Sequence, residues 1–205
     1  MATGDAQFVR FLQQESNRLQ EENQTLSDEV GALRRYIGAL HQFQETVQHF
    51  APEQDVLTLL DETLECALDL LDADDGSLLL IDDETDELVF ILVHGAVRDK
   101  LQGHRFDRQQ GIAGWVAEYA EPAIVENVES DPRFLPTIDE HYDFETLSLL
   151  AVPLLAHGNV LGVIEVINKR TGEGFTGEDA SALSILATLA ASALDYATCE
   201  SPRAD

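Results

Sequence analysis

Apolar positions recur along this chain in three rhythms, and each predicts a different kind of element. Over the first fifty residues Leu12, Leu19, Leu26, Leu33 and Leu40 stand seven apart, and Val47 continues the series. Val9, Ser16, Asn23, Val30, Ile37 and Gln44 precede them by three, which sets a heptad frame with Leu at d and a mixed a column. β-branched Val30 and Ile37 at a, Leu at d and the single amide of Asn23 favour a parallel two-stranded coiled coil. Glu29 at g would face Arg34 at e of the second helix. The competing expectation is an amphipathic helix packed on its own domain.

The second rhythm is helical but shorter. Pro52 breaks the chain, so residues 51–55 are expected as a linker or kink and a new helix from Glu53 to Leu71. Its apolar face would be Leu57, Leu60, Leu64, Ala67, Leu68 and Leu71, with Cys66 beside it as a small core residue. Asp72-Ala73-Asp74-Asp75-Gly76 lacks the spacing of a calcium loop and is expected as a solvated turn. A last helix is predicted from Glu178 to Thr198, with Ala182, Leu183, Leu186, Leu189, Ala190, Ala193, Leu194 and Ala197 on its apolar side. Thr176 is its N-cap, and Asp179 three residues on completes the box. Its many alanines permit close helix contact and admit it to a dimer bundle.

The third rhythm is that of strands. Ser77 to Ile81 and Leu88 to Val93 flank an acidic tip, Asp82 to Glu87, and read as a hairpin. Leu147 to Leu155 and Val160 to Ile167 form a second, with Gly158-Asn159 as the turn residues and Pro153 suited to an edge or a bulge. Between the hairpins, Gly111-Ile112-Ala113-Gly114-Trp115-Val116-Ala117 reads as a small-residue helix whose N-terminus could approach an anionic group. Ile124-Val125 is a short extended piece. Asp131-Pro132 marks a turn, and the aromatic, polar stretch to Phe144 is expected as an irregular lid. The strands cannot be parallel neighbours, so the fold class is α+β on an antiparallel sheet.

Composition narrows the function. In 205 residues, 12 Lys+Arg face 39 Asp+Glu, a formal charge of -27 that disfavours nucleic acid and anionic membrane surfaces as partners. Residues 1–50 hold seven acids and four bases, leaving -24 on the rest. A solvated acidic face explains this, and a high-salt cytoplasm is the sharper alternative. Arg98, Lys100, Arg105 and Arg108 make one local basic stretch, able either to attract an anion or simply to balance nearby carboxylates. Cys66 and Cys199 stand alone, which argues against a disulfide framework or a metal site. With no signal-like or membrane-spanning run, a cytoplasmic protein is expected.

Four ordered motifs carry a family resemblance: Gly111 to Ala117, Asp131-Pro132-Arg133-Phe134, Ala151-Val152-Pro153-Leu154 and Gly162-Val163-Ile164-Glu165-Val166-Ile167-Asn168-Lys169. Over residues 53–198 the chain resembles a GAF domain, the sensor module of cyclic-nucleotide phosphodiesterases, cyanobacterial adenylyl cyclases, phytochromes and bacterial regulators. The fold implied is a GAF-like antiparallel sheet flanked by helices, here preceded by the coiled coil. The domain boundaries expected are 1–50, 51–55, 56–198 and a disordered tail at 199–205. Cyclic-nucleotide-binding members carry an Asn-Lys, Phe and Asp-Glu signature. Asn168, Lys169, Phe175 and Asp179 match it, while Ala180 replaces the Glu. The resemblance implies that these four brace the pocket, with Lys169 paired to Asp179. It implies ligand-binding positions at Ser77, Val93, His94, Ile112, Ala113, Tyr142, Thr146 and Glu165. Glu165 interrupts an apolar strand, where a buried carboxylate needs a donor, although a solvated Glu165 is the alternative. His94 could hydrogen-bond a ligand or cap its strand.

Other chemistries of the family lack their residues. Bilin attachment and sulfoxide reduction need pocket cysteines, and residues 67–198 contain none. No nucleophilic triad is supported around Ser77. The reading is therefore a non-enzymatic dimeric regulator that binds a small molecule, with cyclic AMP or cyclic GMP as candidate ligands and no cofactor. It would signal through the coiled coil to a separate output protein, since nothing follows the last helix in this sequence. The alternative is an interaction adaptor whose pocket is vestigial.

Overall fold

The computed structural model describes residues 10, 12–20, 22–27, 30, 31, 33, 34, 37 and 38, and residues 56–200, with side chains of the last helix through Tyr196. Leu40, Glu29, the linker at 51–55 and residues 201–205 lie outside the described residues. The described part of the first forty residues is helical throughout. Leu12, Leu19, Leu26, Val30, Leu33 and Ile37 are exposed on it, as is Asn23. Arg18 donates to Glu15 at 2.6 Å and to Glu22 at 3.5 Å, pairs that support an exposed helix by a few tenths of a kcal/mol at most.

The second unit is built on a six-stranded antiparallel sheet of β1 (Ala73–Asp82), β2 (Glu87–His94), β3 (Arg105–Asp107), β4 (Ala123–Val125), β5 (Leu149–Ala156) and β6 (Asn159–Lys169), in the order β3-β2-β1-β6-β5-β4. One face carries α1 (Val56–Leu71) and the last helix, α5 (Gly177–Glu200), which pack on each other and on β1 and β5. The other face carries α2 (Arg98–Leu101), α3 (Gly111–Tyr119), a 3-10 turn at Val128–Ser130 and α4 (Pro136–Tyr142). Both hairpins form, because alternation along β6 sends Ile164 and Val166 to the α1/α5 face and Val163 and Glu165 to the other, and all four are buried.

Several details depart from the expectations. Residues 73–76 are strand rather than turn. Asp72, at φ 53°, ends α1, and β1 starts at once because Ala73 pairs with Lys169 and Gly76 with both Val166 and His94. A Cβ at Gly76 would meet the Glu165 carbonyl oxygen at 2.7 Å, so only glycine admits β6 this closely. Asp72 and Asp74 turn to Arg170, which binds them at 3.0 and 2.7 Å, whereas Asp75 lies on the other side of the strand and accepts from the Ala96 N–H at 2.9 Å. The β5–β6 turn is His157-Gly158, with φ 50° and 82°, one residue earlier than expected; two positive φ values suit a type I′ connection. Pro153 lies past the end of the β4 ladder, which covers only Leu149 to Ala151. Leu57 and Leu189 are exposed, while Leu59, Cys66 and Leu70 join the buried side of α1. The lid is not wholly irregular, since α4 starts with Pro136 at its N-terminus, where the missing N–H costs nothing. The last helix runs to Glu200, two residues into the segment expected as a tail. Thr176 and Asp179 cap it reciprocally: the Thr176 N–H donates to Asp179 Oδ2 at 2.7 Å, and the Asp179 N–H to Thr176 Oγ1 at 3.2 Å.

Candidate functional site

Sheet register builds the floor of a cavity. Ser77 on β1 lies between Val93 on β2 and Glu165 on β6, and Glu165 is paired beyond to Ala151 and then Ala123. These five form one cross-strand row on the face opposite α1 and α5. A cavity of about 80 Å³ lies above Val93, Ser77 and Glu165 of this row, while Ala151 and Ala123 belong to the packed core beside it. The N-terminal turn of α3 forms one wall through Gly111, Ile112 and Ala113, and α4 with the following loop forms the roof through Ile138, Asp139, Tyr142, Phe144 and Thr146. Phe90, Phe106 and Phe134 complete an aromatic lining.

All eight positions expected to touch ligand line this cavity: Ser77, Val93, His94, Ile112, Ala113, Tyr142, Thr146 and Glu165. Glu165 is 7% exposed, which overturns the solvated alternative. Its Oε2 accepts a hydrogen bond from Ser77 Oγ at 3.1 Å. Burial pushes its carboxyl up to about 7, and the Ser77 hydrogen bond only partly opposes this. His94 has a protein partner, since its Nε2 lies 2.7 Å from Asp61 Oδ1 on α1. That contact ties the end of β2 to the opposite helical layer. The small residues of α3 have separate uses: a Cβ at Gly114 would come within 2.6 Å of the Arg108 carbonyl oxygen, so Gly114 serves packing, whereas Gly111 to Ala113 face the cavity.

Two contacts that the sequence reading missed fix the roof. Asp139 accepts from the Thr146 N–H at 2.8 Å and from Thr146 Oγ1 at 2.9 Å, closing the loop that follows α4. Tyr142 Oη lies 3.2 Å from His104 Nδ1, with the two rings edge to face. Asp139 belongs to a polar stretch without periodicity, and His104 follows a helix of four residues, so neither carried a pattern signal. The entrance to the roof is stiffened by Arg133, bidentate to Asp131 at 2.9 and 2.7 Å and stacked 4.5 Å from the Trp115 ring centre. Arg133 holds the Asp131 carboxyl below its ordinary range.

The four positions expected to brace the pocket lie outside the lining. Lys169 Nζ is 2.5 Å from Asp179 Oδ2 and 5.4 Å from the centre of the Phe175 ring. Asn168, at φ 51°, accepts from the Leu147 and Ser148 N–H groups at 2.8 and 3.1 Å and donates to the Glu145 carbonyl at 2.8 Å. It therefore holds the far end of the roof loop against β6. The basic stretch has no part in the lining: Arg105 pairs with Asp82 and Glu87, and Arg108 with Asp86. Charge balance within the hairpin thus accounts for two of its four bases. Among the described residues no group of three or more metal-ligating side chains gathers, and no helix is long and apolar enough to cross a membrane.

The fold and its sequence have clear relatives. The chain is 34% identical over 145 residues to the probable 3',5'-cyclic phosphodiesterase pde-5 of Caenorhabditis elegans, a match covering 66% of this chain and 20% of that protein. It is 32% identical over 154 residues to the dual 3',5'-cyclic-AMP and -GMP phosphodiesterase 11 of Drosophila melanogaster, covering 68% and 11%. The chain thus spans a fifth or less of these relatives. In fold it is similar to the GAF domain of a phosphoenolpyruvate-protein phosphotransferase from Coxiella burnetii, with TM-score 0.72 and 21% identity over 82% of this chain and 96% of that one. The free methionine-R-sulfoxide reductase of Neisseria meningitidis also superposes, with TM-score 0.66 and 21% identity over 80% and 90%. Residues 55–194 match the family model for the GAF domain. A match over more than half of the sequence, on a curled antiparallel sheet with this strand order, makes the chain a member of the GAF domain family.

Proposed function

We propose that residues 55–194 form a non-enzymatic sensor whose cavity takes a small molecule of the cyclic-nucleotide class, and that a parallel coiled-coil homodimer passes the bound state to a separate cytoplasmic output protein. The observation that carries this reading is the convergence of the eight expected positions on one cavity, with Glu165 as its buried polar floor. Two of the chain's relatives are named as cyclic-nucleotide phosphodiesterases, which supports the ligand class. A base edge can exchange hydrogen bonds with Glu165 and Ser77, while the N–H groups opening α3 suit a phosphate. Lys169 and Asp179 then act as braces without touching ligand.

A volume of about 80 Å³ is well below the roughly 300 Å³ at which small-molecule sites begin. Ligand must therefore displace the roof, breaking contacts such as Tyr142 with His104. The open and closed roofs are the two states, and ligand biases them only by its differential affinity. The heptad residues Leu12, Leu19, Asn23, Leu26, Val30, Leu33, Ile37 and Leu40 are the dimer seam of this reading, supported by the exposure of those described.

Native mass spectrometry of freshly purified protein, with calorimetric titration of cyclic AMP and cyclic GMP, tests the ligand class. A retained nucleotide or saturable heat supports it. Neither at millimolar ligand sinks it and favours the adaptor with a vestigial pocket, a reading the narrowness of the cavity already suits. For the seam, Leu26→Lys with Leu33→Lys should shift sedimentation toward monomer.

A further inference from the structure

We infer that the cavity, with its roof closed, is a site for a small planar organic cation, an amidinium or guanidinium held on the carboxylate of Glu165 among aromatic rings. Such a ligand goes beyond the proposed cyclic nucleotide, which needs the roof displaced, and its binding does not depend on that proposal.

The charges around the cavity point this way. Asp75 from β1, Asp139 from α4 and Glu165 from β6 line it, and no Lys or Arg does. Asp75 accepts from the Ala96 N–H at 2.9 Å, and Asp139 accepts twice from Thr146, so both meet neutral donors of the protein. His94 is turned to Asp61 on α1, and Tyr142 to His104, so the other titratable groups facing this space are engaged. Among the described residues, Glu165 receives only Ser77 Oγ, on Oε2, and Oε1 is left to the cavity. A buried carboxylate with a single neutral donor is poorly compensated; a cation bearing N–H groups supplies both the charge and the missing hydrogen bonds.

Shape and lining narrow the cation. A carboxylate offers two coplanar oxygens to a pair of parallel N–H groups, which fits an amidinium or guanidinium better than an ammonium. Phe90, Phe106, Phe134 and Phe144 line the same space. Their rings attract a desolvated cation, and a flat, delocalised one loses less hydration on entering. An apolar cavity of about 150 Å³ takes benzene, so about 80 Å³ takes a group of roughly three or four heavy atoms without moving the roof. A ligand that fits beneath the contacts of Tyr142 with His104 and Asp139 with Thr146 favours the closed state, the opposite of what a nucleotide requires.

Acetamidinium, with acetamide as its neutral isostere, is titrated into the full-length protein by calorimetry and ligand-observed NMR at about pH 8. Sodium chloride at about 1 M screens attraction to the exposed acids of a chain of formal charge -27. The expected result is saturable binding of acetamidinium at millimolar concentration, at least about tenfold tighter than acetamide and at least about tenfold weaker in Glu165→Gln. Burial pushes the Glu165 carboxyl up to about 7, so affinity should fall about tenfold for each pH unit below that value, level off above it, and lose this dependence in Glu165→Gln. Amide exchange across residues 139–146 should slow when acetamidinium is bound. The isostere comparison and the pH profile use the wild-type chain, so they decide the matter even if the variant folds poorly. Equal binding of acetamide, an unchanged affinity in a folded Glu165→Gln, or no saturation by about 100 mM would overturn the cation site. Faster exchange of the roof would overturn its closed state. Each of these leaves the cyclic-nucleotide proposal standing, which only the titrations with cyclic AMP and cyclic GMP can sink.

Discussion

Glu165→Gln should stabilise the protein, by an amount that grows with pH. The wild-type side chain is buried between strands and accepts from Ser77, and burial raises its carboxyl from 4.5 to about 7. The folded protein therefore keeps a proton that the unfolded chain releases near pH 4.5. The stability associated with that proton is fully present below the unfolded value and is lost as pH rises through about 7. At about 1.4 kcal/mol per pH unit, the loss reaches about 3 kcal/mol. Glutamine has no proton to lose and still accepts from Ser77, so the gap between variant and wild type should open from near zero at about pH 4.5 to about 3 kcal/mol at about pH 8. For a domain of this size that is a difference of about 6–12 °C in melting temperature. Thermal melts of both proteins across this range at fixed ionic strength measure it. Parallel curves, or a wild type that is the more stable at about pH 8, would refute the reasoning and show a carboxylate compensated by water or an unrecognised donor.

The remaining expectations concern the groups around the cavity. Lys169→Met leaves Asp179 buried without its cation and should cost about 3 kcal/mol in urea unfolding; Lys169→Met with Asp179→Leu should cost less than the two single losses combined. Asn168→Ala removes three hydrogen bonds from the Glu145 to Ser148 segment and a residue tolerant of positive φ. A loss of about 2 kcal/mol and faster amide exchange at Leu147 and Ser148 should follow. Asp139→Ala frees the roof loop from Thr146; exchange should quicken across residues 139–146 while the sheet stays protected. Because ligand donors at Glu165 would favour its ionised form, binding near pH 7 should release a proton, read as a buffer-dependent heat in calorimetry.

Legibility from sequence followed physical periodicity. The β5–β6 hairpin was readable because its strands are apolar nearly throughout and its turn holds Gly158. The pairing of Lys169 with Asp179 came from a motif rather than a pattern, and the geometry agrees with it. Ala73 to Gly76 was not readable as strand: its acids look like a turn, and it is extended because β6 pairs along it, with β2 joining at Gly76. The three-residue strand β3 and the four-residue α2 were too short to show any period. At the site, the floor was visible because a lone Glu in an apolar strand is conspicuous. The Asp61 partner of His94 was not, because it comes from a helix thirty-three residues away whose polar face reads as solvent-exposed.

The strand β6 ends in a short run with a mechanical consequence. From Glu165 to Asn168 is three residues, about 10 Å of extended chain. The two residues between them are held on both sides, Val166 by Gly76 and Leu150 and Ile167 by Asp75 and Leu149. A rod clamped along both edges neither stretches nor bends locally. Whatever shifts Glu165 along its axis therefore shifts Asn168, which anchors the roof, and Lys169, which grips the first turn of α5. The floor of the cavity, the hinge of its cover and the start of the last helix are three points on one lever.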